Sequence, residues 1–140
     1  MDEIIEKQKE TKITFKFVAF SKEGIEKILN LTTKTNGKTT TKKISPLTSA
    51  DLNLLFFIIN RMNFNNLSTL PVQKEIKNNL NLSQKQISTS LHKLIKLDFI
   101  IKVNQPRTYF LNPKFIYLGT DRKNKIIEWK RAKQTKVNIN

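Results

Sequence analysis

Leu82-Ser83-Gln84-Lys85-Gln86-Ile87-Ser88-Thr89-Ser90-Leu91-His92-Lys93-Leu94, followed by Asp98-Phe99-Ile100-Ile101-Lys102-Val103, decides how this chain folds. Ser83 is a helix-capping residue. After it Ile87, Leu91 and Leu94 fall on one side of a wheel at about 100° per residue, while Lys85, Thr89, Lys93 and Lys96 fall on the other. One face can be buried and the opposite face can meet a polyanion. The helix is expected to end near Leu97-Asp98, after which Phe99, Ile101 and Val103 alternate in the manner of a strand.

Upstream of this stretch, Thr48-Ser49-Ala50-Asp51 carries a capping pattern: the Thr48 hydroxyl accepts a free amide, and Asp51 reaches back and complements the helix dipole. Leu52, Leu54, Leu55, Phe56, Phe57, Ile58 and Ile59 then cover nearly every side, which places this helix at the centre of the core. Asn63 to Ser68 reads as a turn with a short strand. Pro71 suits the first position of the next helix, where its missing N–H would be unpaired anyway, and that helix runs through Ile76 to about Leu80. Asn81-Leu82 leaves a tight connection before Ser83, the spacing of a helix-turn-helix.

Downstream, Asn104-Gln105-Pro106-Arg107 is a turn and Thr108-Tyr109-Phe110-Leu111 a second strand, so the pair forms a hairpin. Asn112-Pro113 breaks it, Phe115 to Leu118 supplies an apolar anchor, and Asp121 can cap a last helix carrying Ile126, Ile127 and Trp129. Toward the N-terminus, Ile13, Phe15 and Phe17 alternate with Thr14 and Lys16, predicting a strand through Phe20; Ser21 can cap a helix carrying Ile25, Ile28 and Leu29. The stretch from Thr32 to Lys43 is rich in Thr and Lys and nearly free of large apolar side chains, a basic linker or hairpin tip. The reading is α+β, mainly α: a winged helix-turn-helix with an N-terminal extension and a C-terminal basic helix. Its segments are a flexible arm at 1–12, a strand, helix and basic linker at 13–47, a winged-helix DNA-binding domain at 48–119, and a basic helix and tail at 120–140.

The net charge of +15 over 140 residues makes nucleic acid or an anionic membrane surface the leading partner class. The excess is uneven, since residues 61–140 carry sixteen Lys and Arg against four Asp and Glu. No apolar run approaches the roughly 20 residues that span a bilayer, and the charged opening lacks the features of a signal peptide, so a cytoplasmic protein is expected. There is no cysteine and one histidine, which leaves no disulfide and no ordinary zinc site. No cofactor or metal is expected.

Several places resemble the RepL family of plasmid replication initiation proteins. They are Leu82-Ser83 with Ile87-Ser88, the transition from Leu94 to Ile101, Tyr109-Phe110-Leu111-Asn112-Pro113, and Phe115-Ile116-Tyr117-Leu118-Gly119 leading to Ile126-Ile127-Glu128-Trp129-Lys130. The likeness is strong over a little more than half of the chain, with Phe15 to Leu31 a weaker counterpart of the family's lead-in segment. It implies sequence-specific binding at a replication origin, with host replication proteins as further partners and no catalysis by this chain.

In a major groove the base edges are within reach of the outward side chains of a helix's first turns. Gln84, Lys85, Gln86, Ser88 and Thr89 are expected at bases or nearby phosphates, and Ser83 belongs with them to the DNA-binding recognition helix. Lys93 and Lys96 are expected at phosphates only, and His92 is a surface residue or a phosphate contact. On the wing, Arg107 could enter a minor groove and Lys102 is the second candidate; the plainer reading makes them a turn residue and the outer face of a strand. Arg122, Lys123 and Lys130, with Lys125, Arg131, Lys133 and Lys136, could clamp phosphates, or could be the solvated side of a helix that packs through Ile126 and Trp129.

Other readings stay open. A winged-helix transcriptional regulator would show nearly the same helix and wing, commonly as a dimer, and Phe15 to Leu31 suits either a homodimer contact or the monomer core. A basic structural RNA-binding protein would need exposed aromatics, whereas Phe56, Phe57, Phe99 and Phe110 fall at core positions. A membrane-surface protein would need a broad apolar helix face. An enzyme is not expected: Glu75, Asp98, Asp121 and Glu128 are scattered, Gly24, Gly37 and Gly119 are too few for a phosphate-cradling loop, and a DNA-nicking role for Tyr109 or Tyr117 would require metal-binding histidines.

Overall fold

The computed structural model describes residues 16–33 and 47–139. The proposed arm at 1–12, Ile13, Phe15 and the linker lysines at 34, 38, 42 and 43 lie outside the described residues. Strand β1 (Ala19–Phe20) and helix α1 (Lys22–Thr33) come first, then α2 (Ser49–Asn60), β2 (Leu67–Thr69), α3 (Gln73–Leu80), α4 (Gln84–Lys96), β3 (Ile100–Lys102), β4 (Thr108–Leu111), β5 (Ile116–Tyr117) and α5 (Arg122–Ile139). This is a mainly α, α+β fold with small antiparallel sheets.

The capping box that starts α2 is present in full: Thr48 Oγ1 accepts from the Asp51 amide at 3.1 Å, and Asp51 Oδ2 accepts from the Thr48 amide at 2.9 Å. Leu54, Leu55, Ile58 and Ile59 are buried, as a central helix requires. Phe56 departs from the core position expected of it. It is 50% exposed, because the core lies along the 54/55/58/59 side and position 56 points away, with the Phe20 ring centroid 6.2 Å off. Pro71 is not the first helical residue either; Val72 is the N-cap of α3, with no side-chain cap bond, and Pro71 precedes it.

Strand β4 is central in the three-stranded sheet, antiparallel to β2 on one side and β3 on the other, with Leu67 opposite Phe110 and Ile101 opposite Phe110. The alternation expected from Phe99 to Val103 does not appear as one buried and one open face. Phe99, Ile100 and Ile101 are all buried, since helices α2 and α4 cover one side while α5 covers the other through Trp129, which stands edge-on to Phe110 at 5.6 Å.

Strand β1 is shorter than the alternation predicts and pairs antiparallel with β5, Ala19 opposite Tyr117. Ser21 does cap α1, accepting from the Gly24 amide at 2.9 Å. The inward stripe, however, is Gly24, Ile28 and Leu31, whereas Ile25 and Leu29 are 45% and 53% exposed. Close approach explains the shift: a Cβ at Gly24 would lie 2.7 Å from the Phe115 carbonyl oxygen, so α1 rests its glycine on the chain there. Asn66, buried in a left-handed conformation (φ 63°), ties the sheets together. Its Nδ2 donates to the carbonyls of Leu111 and Ile116 at 3.0 and 2.8 Å, and its Oδ1 accepts from the Leu118 amide at 2.9 Å.

Candidate nucleic-acid interface

Two helices meet here at a three-residue turn. Helix α3 closes at Asn81, which takes a left-handed conformation (φ 55°) and donates its amide to the Lys77 carbonyl at 2.8 Å, a position asparagine tolerates better than most residues. Ser83 then opens α4. Its hydroxyl accepts from the Gln86 amide at 3.1 Å, and its own amide donates to Gln86 Oε1 at 2.9 Å, so two otherwise unpaired amides are satisfied reciprocally. Gln86 therefore spends its carbonyl oxygen on the cap and keeps its amino group for anything outside.

Ile87 and Leu94 are fully buried, and Leu91 is half-buried. Opposite them Gln84, Lys85, Gln86, Thr89, His92 and Lys96 are exposed, and Ser88 is half-buried. The His92 ring nitrogen Nδ1 lies 2.9 Å from the Ser88 carbonyl oxygen. Lys93 differs from its wheel neighbours. Its ammonium donates to Asp51 Oδ2 at 2.8 Å, while the buried Ser90 hydroxyl donates to Asp51 Oδ1 at 2.6 Å. Burial pushes the Asp51 carboxyl up, but the hydrogen bonds from Lys93, Ser90 and Thr48 outweigh it and hold the group below its ordinary value. Asp51 thus caps α2 and fastens α4 to it. The sequence reading saw the cap and missed the fastening, for which Ser90, a polar residue on the apolar face, is the available signal.

On the hairpin, Lys102 folds back over the tip: its ammonium donates to the carbonyls of Val103 and Gln105, each at 2.8 Å, and sits 5.8 Å from the Tyr109 ring. Arg107 is exposed at the turn with φ 54°, which costs a non-glycine residue on the order of 1 kcal/mol. Its Nε donates to the Leu70 carbonyl at 3.0 Å, and its own carbonyl accepts from the Leu70 amide at 2.8 Å.

The matching family is described as Firmicute plasmid replication protein (RepL), and it covers residues 3–139. The chain belongs to the RepL family. Membership makes it a plasmid replication protein, and it extends the likeness beyond the segments that carried it to nearly the whole sequence. No curated protein and no solved structure matches the chain.

In this RepL chain the basic α5 is attached at both ends of its described part. Arg122 Nε donates to the Pro113 carbonyl at 3.0 Å, and Lys133 pairs with Asp98 at the end of α4. Trp129 is the buried anchor; Ile126 is half-buried and Ile127 is 43% exposed. Lys123, Lys130 and Arg131 point outward, and the side chain of Lys136 lies outside the described residues. Lys27 of α1 lies over the rings of Phe99 and Phe115 at 5.4 and 4.7 Å, and burial pulls its ammonium below the ordinary lysine value. Among the described residues no helix is long and apolar enough to cross a membrane.

Proposed function

We propose that this plasmid replication protein is the sequence-specific, double-stranded DNA-binding initiator that acts at its origin without chemistry of its own. The order α2, β2, α3, α4, β3, β4 is that of a winged helix, with α4 as recognition helix and the β3–β4 hairpin as wing. The observation that carries the reading is α4 itself: a capped helix at the end of a three-residue turn, its apolar face turned into the core through Ile87 and Leu94, its first two turns presenting Gln84, Lys85 and Thr89 outward.

Lysine suits guanine, glutamine suits adenine and the threonine methyl suits thymine, so these side chains can read base edges. Lys96, further along, suits a phosphate. Among the C-terminal cations, Lys123 and Lys130 are open to backbone contact, while Arg122 is partly occupied with holding the helix down. A cytoplasmic location and recruitment of host replication proteins follow from this role, and a dimer would read a symmetric or repeated site.

Binding-site selection from random duplex DNA tests the proposal. Recovery of a discrete site is expected, and its symmetry reports subunit number. Equal recovery of all sequences, or a preference for single strands or anionic vesicles over duplex, would remove it.

A further inference from the structure

Arg61, which no local sequence pattern singles out, is held in the same way as Arg107. Following α2, Arg61 donates its Nε to the Thr69 carbonyl at 2.9 Å; Arg107 on the wing donates its Nε to the Leu70 carbonyl at 3.0 Å. Neighbouring residues of an extended chain turn their carbonyls to opposite sides, so the two guanidiniums flank the end of β2, one on each side. Both arginines are exposed and neither forms an ion pair among the described residues. Nε orients each guanidinium, that of Arg61 also lying over the Phe57 ring at 5.9 Å, and the terminal amino groups, the edge that binds a phosphate bidentately, make no hydrogen bond among the described residues. Fixing the plane beforehand lowers the ordering cost of a contact.

Arg107 adds an independent sign. Its φ of 54° would suit glycine or asparagine, yet the position holds an arginine, kept there by the reciprocal bonds to Leu70. Those bonds offset the strain and hold the guanidinium at the edge of β2.

We propose that Arg61 and Arg107 grip two backbone phosphates, one on each side of the end of β2. Arg107 then serves the backbone rather than the minor-groove floor. The inference rests on the DNA-binding reading.

Its test uses the full chain and a labelled random-sequence duplex, because phosphate contacts need no target sequence. Affinity is followed by fluorescence anisotropy over about 50–200 mM salt. Arg61→Gln and Arg107→Gln, which keep a donor for the carbonyls, should each reduce the slope of log affinity against log salt by about 0.9, and the double variant by about 1.8. Each single loss should weaken binding about tenfold at the lower salt. Arg107→Gly should show the same loss of slope; glycine relieves the strained φ while the bond from Nε to Leu70 is lost, so the slope is the readout. An arginine that merely braces the turn would leave the slope alone whatever happens to Tm, which overturns the inference. If the slope is unmoved in these variants but falls in Lys96→Ala, the grip is wrong and the DNA-binding reading stands. If the unmodified chain shows no salt-dependent duplex binding, both fall.

Discussion

The two sides of α4 use the same kinds of residue for opposite purposes. On one side Ser90 and Lys93 are drawn down to a buried carboxylate; on the other the side chains of Lys85, Thr89 and Lys96 are exposed and have no polar partner among the described residues. A lysine on this helix is therefore not one kind of group. Where a carboxylate lies in reach its long stem folds toward it, and where none does the charge stays open to a ligand. The two classes should separate cleanly by measurement, because tether residues act on stability and open residues act on binding.

Asp51→Ala has the largest expected effect. It removes the carboxylate half of the α2 capping box and strands the Lys93 ammonium and the Ser90 hydroxyl, and urea unfolding should show a loss of about 3 kcal/mol. Acid should reproduce part of this. Since the Asp51 carboxyl is depressed in the folded state, its contribution is complete above its ordinary value of 3.8 and is lost as pH falls below that through the folded value. Stability followed from pH 7 downward should bend in that window, and Asp51→Asn should lack the bend. A variant with the same acid profile as the parent would mean that the tether is absent in solution.

Lys93→Met comes next, keeping the aliphatic stem and removing the charge. The Lys93 side chain retains 14% of its exposure and Asp51 only 4%, so the pair is mostly sheltered and about 2 kcal/mol is expected. Lys96→Ala, one turn on and exposed, should change stability by less than about 0.5 kcal/mol while lowering the salt slope. If the two variants behave alike in both measurements, the distinction between the sides fails. Ser90→Ala is smaller again, about 1 kcal/mol, since Asp51 keeps its other donors.

How much of this was legible depends on distance along the chain. The caps at Thr48 and Ser83, the turn at Asn81 and the hairpin at Asn104 to Arg107 are written in adjacent residues, and each appears where its residues predict. The tether joins positions 51 and 93, the Asn66 hub joins 66 to 111, 116 and 118, and Gly24 meets Phe115. No local pattern encodes such meetings. The helical wheel placed Lys93 with Lys85 and Thr89 because it reports where a Cβ points, whereas the ammonium lies four bonds further out and goes to its partner. Lys102 escaped for the same reason, its charge being folded onto the carbonyls of its own turn. The buried length of β3 required α5, whose packing through Trp129 was foreseen only as one of two readings.

The smallest effect on stability should be the largest on specificity. Lys85→Ala and Thr89→Ala remove exposed side chains from a helix whose cap and buried face are untouched, so Tm should move by no more than a degree or two. Alanine also suits a helix interior at least as well as threonine, which offsets what little packing is lost. A selected duplex and single-base variants of it should tell another story. Each good base contact discriminates by about 1–3 kcal/mol, so the preference at one or two positions should collapse for each variant while the remaining positions keep theirs. Lys85 stands two positions after the Ser83 cap and Thr89 one turn later, so the positions they relax should be neighbours in the site. Relaxation at separated positions, or uniform weakening across every base, would mean that α4 does not lie along the groove with its capped end inward. The open side would then be a phosphate surface like the rest of the basic face.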